Sequence, residues 1–352
     1  MLASKAKQLF VEIDDFSILT AVASGASSSM RLESLDEYPL TTPNEEFHDS
    51  IRSRTGLGKN TRGYVPAHCA VYPTSRFIRR VSLEQPNKAK EPSFFEEYLR
   101  TQLRIDPDAN TAAVLNVETG TPFTLDKPMS SQKELILCGG KTDELRTLQE
   151  RMVAMGLYPR SLQLGSLSTL RALMDYEQYA KLELPTLLLE VTPANTHLFI
   201  FHAGKLDVSR PIPYGLSSMF PLIRNELGLK DEESARKLFY SNTFDFTEMG
   251  PALLQKMLKE LQASTGFYEV QTGQTIGQIL ASLLPGNFQW MTDTLAKSLG
   301  VDVLEPDLQS WLESRGIKID DSVSMENLGA RWFGLLSLLG EIPNHSENGQ
   351  KK

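Results

Sequence analysis

The sequence predicts an α/β protein in which one supersecondary unit occurs twice, with a compact α+β segment after the first copy. In each copy an apolar strand ends at a carboxylate, and a polar turn, two further strands and a helix follow. The first copy starts at Leu9 and the second at Thr186. This order indicates an internal duplication, and chance similarity of two β-meanders is the alternative. At ~100–200 residues per domain, 352 residues are enough for two or three packed units.

The individual elements follow from apolar spacing, turn residues and helix start and stop signals. In the first copy we expect strands at 9–14, 17–24 and 30–35, a helix at 44–53 and an exposed loop at 54–63. In the α+β segment we expect strands at 64–71, 77–83, 112–117, 134–138 and 161–164 and helices at 93–103, 142–155 and 168–176. Beyond it we expect strands at 186–191, 196–201, 205–212, 276–283 and 301–304 and helices at 216–227, 231–240, 247–268, 288–299 and 325–339.

Composition and charge exclude several classes of protein. With 36 Lys and Arg against 44 Asp and Glu, the net charge is −8 and no basic stripe is present, so nucleic acid is not an expected partner. No stretch approaches the ~18 consecutive apolar residues of a membrane-spanning helix. The first residues lack the apolar core of a secretory signal, which favours a cytoplasmic location. Cys69 and Cys138 have no CxxC partner and are expected to be buried thiols.

Familiar nucleotide-binding and hydrolytic motifs fail on spacing. Residues 139–142 are Gly-Gly-Lys-Thr between a predicted strand and helix, but a phosphate-binding loop also needs a glycine where Leu135 stands. We therefore interpret this segment as a helix-start turn, and the Gly-rich loop at 56–59 fails in the same way. The histidines are not spaced as metal ligands, and no GxSxG or SxxK sequence is present. No catalytic residue and no metal site is predicted.

Two acidic turns, at 13–17 and 190–196, remain as candidate functional residues. A duplicated strand, acid, turn and strand, each followed by helices, resembles the actin-like fold shared by actin, sugar kinases and Hsp70-type chaperones. Five passages, including AGKLDVSRPIPYG at 203–215 and DEESARKL at 231–238, resemble the PilM-like family of type IV pilus assembly. The others lie at 94–107, 155–173 and 325–339. The cytoplasmic region of the GspL proteins of type II secretion is the next most similar family.

The resemblance implies a duplicated actin-like (ASKHA) fold with an inserted α+β subdomain. Its expected parts are an N-terminal tail at 1–8, a first half at 9–184 with the insert at about 64–160, a second half at 185–324, a terminal helix at 325–342 that packs back on the first half, and a disordered tail at 343–352.

The resemblance also implies the position of an ATP cleft. In active members of the fold, an Asp-x-Gly turn in each half and a Gly-Gly turn bring bare backbone close to Mg²⁺ and the nucleotide. The matching positions here are Asp14, Ser17, Glu190, Thr192 and Gly286. Phe16 stands where the first turn should have glycine, Pro193 removes an N–H donor from the second, and the third reads Ser-Leu-Leu-Pro-Gly at 282–286. All three turns therefore lack the bare backbone that a nucleotide needs.

The expected function is a non-catalytic scaffold of a type IV pilus or type II secretion-like assembly platform, without a cofactor. The resemblance implies a cytoplasmic protein at the inner membrane that binds the cytoplasmic tail of a PilN-like bitopic protein, alongside other pilus assembly components. The expected groove lies between the first actin-like half and the insert. The alternative is an actin-like ATP-binding protein or ATPase that uses ATP and Mg²⁺, with Asp14 positioning the metal and Ser17 or Thr192 contacting phosphate.

Overall fold

A computed structural model describes residues 7–25, 29–57, 63–83, 91, 93–117, 122–123, 134–326 and 328–339. The tail predicted at 343–352 lies outside the described residues, as do the first six positions of the tail predicted at 1–8, positions 58–62 of the predicted loop and positions 340–342 of the terminal region. The chain forms two compact units, Met1–Thr42 with Gly165–Lys352, and Pro43–Leu164.

The strands of the described residues are β1 (Lys7–Ile13), β2 (Ser17–Ser24), β3 (Arg31–Pro39), β4 (Val65–Val71), β5 (Phe77–Ser82), β6 (Asn110–Asn116), β7 (Glu134–Lys141), β8 (Leu157–Leu164), β9 (Thr186–Val191), β10 (Thr196–His202), β11 (Lys205–Ile212), β12 (Gln278–Ala281), β13 (Asp302–Val303) and β14 (Lys318–Ile319). The helices are α1 (Asn44–Thr55), α2 (Phe94–Thr101), α3 (Thr142–Ala154), α4 (Gly165–Ala180), α5 (Phe220–Glu226), α6 (Glu232–Tyr240), α7 (Gly250–Leu253), α8 (Gln255–Thr272), α9 (Gln289–Leu299), α10 (Leu308–Ser314) and α11 (Phe333–Leu338).

The first unit contains two antiparallel β-meanders of the same strand order. β1 pairs with β2, from Lys7 opposite Ser24 to Ile13 opposite Ile18, and β2 pairs with β3. In the same way β9 pairs with β10, and β10 pairs with β11. Nearly every residue of β2, β9 and β10 is buried, which explains why these strands are mostly apolar in the sequence. The predicted α/β architecture with a repeated meander is therefore confirmed.

Helices cover both meanders and build the core of the first unit. α4 and α11 pack against each other, and α11 also contacts β1 and β2. Every residue of α11 is buried, which accounts for its apolar composition on all sides. In the second half, side chains of β9, β10, α5, α6, α8 and α9 form one hydrophobic cluster. β12 lies parallel to β9 and β13 parallel to β12, so the loop after β12 begins beside the end of β9.

Several predicted helices have different bounds in the structure. α4 is longer at both ends than the helix predicted at 168–176, and the helix predicted at 216–227 begins as a 3₁₀ turn, Leu216–Met219, before α5. Two further predicted helices are interrupted by the conformation of the backbone. The region predicted as one helix at 325–339 contains a 3₁₀ turn at Ala330–Trp332 followed by α11, because Gly329 adopts an extended backbone. The helix predicted at 247–268 is divided into α7 and α8, and α7 starts at Gly250 because Pro251 suits only the first turn of a helix. The short elements α10 and β14 have no counterpart among the predicted ones.

The second unit contains two groups of strands. β4 and β8 pair in parallel, and β5, β7 and β6 form an antiparallel sheet in that order. Gly139 and Gly140 lie inside β7, so the prediction of a helix-start turn at 139–142 is wrong for both glycines. Gly139 is required by strand packing, because a Cβ there would lie 2.1 Å from the carbonyl oxygen of Thr111 on β6.

The two cysteines are buried free thiols, as predicted. Burial raises the pKa of Cys69 to about 12 and the pKa of Cys138 to about 11. Both thiols are therefore protonated at neutral pH and unreactive. Of the helices that the structure describes, none combines the length and apolarity needed to cross a bilayer.

Candidate functional site

The first acidic turn connects β1 to β2 and is closed by the side chain of Asp14. Its Oδ1 accepts hydrogen bonds from the backbone N–H groups of Phe16, at 2.7 Å, and of Ser17, at 2.9 Å. The N–H of Asp14 donates to the carbonyl oxygen of Ser17 at 3.3 Å. The amides of Phe16 and Ser17 are therefore already bound to the carboxylate of their own turn.

Arg331, in the 3₁₀ turn before α11, places its guanidinium against this carboxylate. Nη2 lies 3.0 Å from Asp14 Oδ2 and donates to Ser17 Oγ at 2.6 Å, while Nε donates to Glu37 Oε1 at 3.2 Å. Nη1 donates to the carbonyl oxygen of Leu283, in the loop after β12. The side chains of Arg331 and Asp14 are only 7% and 1% exposed, so this is a buried ion pair.

The charges around Arg331 keep its guanidinium protonated. Burial lowers the pKa of Arg331, but Asp14, Glu37 and Glu12 together raise it above its ordinary value. Ser17 Oγ donates to Glu37 Oε1 at 2.5 Å, which ties the partly exposed carboxylate to the same group of side chains. The result is one connected network of a cation, carboxylates and a hydroxyl, which we call the Arg331 cluster: Arg331, Asp14, Ser17, Glu37 and the carbonyl of Leu283.

Phe16 has a second role beside the Arg331 cluster. Its ring centroid lies 5.6 Å from the guanidinium carbon of Arg331, within the range of a cation–π contact. The same ring lies 6.5 Å from that of Phe288 and packs against the hydrophobic core of the second half. A bulky side chain therefore fills the place where the resemblance implies a bare glycine.

The second acidic turn is engaged in a different set of contacts. Glu190, at the end of β9, is fully buried and accepts a hydrogen bond from Ser166 Oγ at 2.5 Å. The N–H of Thr192 donates to the carbonyl oxygen of Asn195 at 2.9 Å. The backbone of Gly215 packs directly against this turn. A Cβ at position 215 would lie 2.5 Å from both the carbonyl oxygen of Thr192 and the backbone nitrogen of Asn195. The turn is thus filled by its own backbone.

The third turn follows β12. The N–H of Ser282 donates to the carbonyl oxygen of Leu189 at 3.1 Å, which fixes the loop to the end of β9. Gly286 begins the 3₁₀ turn Gly286–Phe288, and a Cβ on it would have no atom within 4 Å. Packing therefore does not require a glycine at position 286.

These residues do not fit a Mg²⁺–nucleotide. Mg²⁺ is held through carboxylate oxygens and water, but Asp14 is bound to Arg331 and to two backbone amides. Phosphates need N–H donors, and those of Phe16 and Ser17 point at Asp14 instead. Among the described residues, no group of three or more His, Cys, Asp or Glu side chains could hold a metal ion.

Of the five residues predicted for the cleft, the structure brings Asp14 and Ser17 together in the Arg331 cluster. Sequence reasoning missed Arg331 and Glu37, which complete the cluster, and Ser166, which binds Glu190. A signal for Arg331 is present, since it is the only charged residue in the apolar stretch 328–339. A charge inside a buried segment needs a partner of opposite sign.

Comparison with known structures supports the fold. One chain of a solved structure described as a PilM–PilN type IV pilus biogenesis complex matches with a TM-score of 0.67 and 17% identity, over 96% of this chain and 99% of that one. A protein of unknown function with an actin-like ATPase fold from Bacteroides thetaiotaomicron matches with a TM-score of 0.46 and 10% identity, over 96% and 98% of the two chains. The cytoplasmic domain of EpsL, an inner-membrane component of the type II secretion system of Vibrio cholerae, gives 0.42 and 9%, over 95% and 94%.

No protein-family model and no curated protein matches the sequence. At 17% identity, the match to the PilM–PilN complex concerns the fold. The actin-like fold expected from the sequence, and its likeness to PilM in fold, are confirmed.

Proposed function

We propose that this chain is a non-catalytic scaffold of a type IV pilus or type II secretion-like assembly platform, and that it binds the cytoplasmic tail of a PilN-like inner-membrane protein. The observation that carries the proposal is the match in fold, at a TM-score of 0.67, to a chain of a PilM–PilN complex over almost the full length of both chains. In this proposal the protein lies in the cytoplasm and is held at the membrane by its partner, together with other assembly components.

The non-catalytic part of the proposal is supported by the Arg331 cluster. Asp14 would have to position Mg²⁺ in an ATPase, yet its carboxylate is bound to Arg331 and to the amides of its own turn. The bulky side chain of Phe16 hinders close approach to the first turn, and Pro193 removes one backbone donor from the second.

The partner is tested with peptides. We expect a fluorescent peptide that carries the cytoplasmic tail of a PilN-like bitopic protein from the same organism to bind saturably, with the same affinity in the presence and absence of Mg²⁺–ATP. A peptide of the same composition in scrambled order is the matched control. Equal anisotropy curves for the two peptides up to ~1 mM, where a binding free energy is only about −4 kcal/mol, would remove the pilus assignment and leave the fold untouched.

The second candidate is an actin-like ATP-binding protein or ATPase. It is favoured by the fact that Asp14 and Ser17 meet at the first turn, where the actin-like fold implies a metal and phosphate site. A fluorescent ATP analogue decides between the two, measured with Mg²⁺, with EDTA, and with the Asp14→Ala variant. We expect no saturable binding in any of the three. Binding that requires Mg²⁺ and is lost in the variant would favour this second candidate.

A further inference from the structure

We infer that Arg331 is a resident cation that holds the two halves of the actin-like fold together, in the place where active relatives use a metal and nucleotide. The inference rests on the non-catalytic part of the proposed function and not on the identity of the partner. It assigns to this chain a cleft whose closure does not depend on a ligand.

The contacts of Arg331 join both halves. Nη2 is bound to Asp14 and Ser17 of the first meander, and Nη1 is bound to the carbonyl of Leu283 in the second half. A guanidinium presents its donors in a rigid planar fork, so one side chain reaches acceptors on both sides at once. A lysine, with a single point charge, has no such fork.

The charge balance requires a cation at this position. Asp14 is buried, and Glu12, Glu37 and Asp14 all act electrostatically on Arg331. Buried carboxylates without a counter-charge are strongly unfavourable. In a cleft that binds Mg²⁺, the counter-charge arrives with the ligand. Here it is part of the chain and is present in every molecule.

The position of Arg331 is fixed by the segment that carries it. The 3₁₀ turn that contains this residue, Ala330–Trp332, directly precedes α11, whose six residues are all buried and which packs on α4, β1 and β2. The guanidinium is therefore held where it binds instead of being drawn from solvent. Phe16 adds an apolar contact across the same boundary through Phe288.

Hydrogen exchange of the full chain tests this inference. The reporters are the amides of Phe16 and Ser17 on one side and of Ser282 and Phe288 on the other, all of which are hydrogen-bonded. In the unmodified chain we expect the same exchange rates with and without Mg²⁺–ATP. In Arg331→Met we expect exchange about tenfold faster or more on both sides, because the contacts of the guanidinium no longer hold the two halves against local opening.

The matched control is Arg31→Met. Arg31 forms an ion pair with Asp320 at 2.8 Å, but its side chain is 53% exposed, and we expect no change at the four amides. Rates in Arg331→Met equal to those of the unmodified chain, or protection that increases on adding Mg²⁺–ATP, would overturn the inference.

A conservative variant covers the case in which Arg331→Met does not fold. Arg331→Lys keeps the charge near Asp14 but loses the fork, so we expect faster exchange at Ser282 and Phe288 only. Unchanged rates at all four amides would again overturn the inference. None of these measurements involves the tail peptide, so failure of the partner assignment and failure of the cleft assignment are separately visible.

Discussion

The buried carboxylates of Asp14 and Glu177 illustrate two responses of an acid to burial. The carboxylate of Asp14 forms an ion pair with Arg331, whose Nη2 lies 3.0 Å from Asp14 Oδ2. Glu177 is 4% exposed, and its carboxylate accepts a hydrogen bond from the backbone N–H of Gly204 at 3.1 Å. Burial, with a smaller contribution from Asp207, raises the pKa of Glu177 to about 7, against the lowering effect of the Gly204 bond. The protonation state of Glu177 therefore changes close to neutral pH.

The raised pKa of Glu177 makes the stability of the fold depend on pH. The folded-state pKa of about 7 lies above the ordinary glutamate pKa of 4.5, so the stabilising contribution of Glu177 is fully present below pH 4.5 and is lost as the pH rises through 7. We expect Glu177→Gln to remove this loss, on the order of 2–3 kcal/mol between those limits. Urea unfolding at a series of pH values measures it.

The control for this prediction is Glu183→Gln, because Glu183 is exposed in the segment that follows the same helix. That variant should keep the pH dependence of the unmodified chain. If Glu177→Gln and the unmodified chain have parallel profiles from pH 4.5 to 7, Glu177 is not the titrating group.

The ion pair between Asp14 and Arg331 should be strongly coupled. Removing one partner leaves a buried charge without its counter-charge, so Arg331→Met and Asp14→Asn are each expected to lower the free energy of unfolding by about 3–5 kcal/mol. The double variant should cost less than the sum of the two, with a coupling of about 0.5–3 kcal/mol. Chemical unfolding of the four proteins gives this cycle, and strictly additive costs would contradict a direct pair.

Among the helices and strands, the sequence is most informative where strands are fully buried. The predicted bounds of β2 and β9 agree with the structure because these buried, mostly apolar segments end at clear turns. The predicted bounds fail where the backbone conformation of a single residue determines the start of a helix. Gly329 has an extended backbone, so the last helix starts later in the chain than predicted. The prediction also fails where a glycine serves packing, as Gly139 does in β7.

The adjacent glycines of β7 offer a matched test of this element. In Gly139→Ala the new Cβ meets the carbonyl oxygen of Thr111 at 2.1 Å, so β6 and β7 must separate. We expect a loss of about 1–3 kcal/mol in the free energy of unfolding. In Gly140→Ala the nearest atom is Ser75 Oγ at 3.4 Å, and the change should stay within about 0.5 kcal/mol. Equal melting temperatures for both variants would show that packing against β6 does not restrict the size of the side chain at position 139.

Part of the candidate site could be predicted from the sequence, and part depends on contacts between distant segments of the chain. Asp14 and Ser17 are three positions apart in one turn, and the local sequence is enough to place them together. Arg331 is 317 positions from Asp14, and their contact depends on how α11 packs on the meander. Local patterns do not determine such a pairing, although the isolated charge of Arg331 in an apolar stretch indicates that a partner exists.

The Arg331 cluster should also make the thermal stability of the whole fold insensitive to nucleotide. A ligand that binds only the native state stabilises it by about 2.7 kcal/mol at 100 times its dissociation constant, which shifts Tm by several degrees. Because the Arg331 cluster already occupies the first turn, we expect millimolar Mg²⁺–ATP to leave Tm at the value found with Mg²⁺ alone. Phe16→Gly should lower Tm, since the contact with Phe288 is lost, and should still show no nucleotide-dependent shift. A rise in Tm that requires both Mg²⁺ and ATP, in either protein, would contradict this prediction, because it would mean that the ligand displaces Arg331 from Asp14.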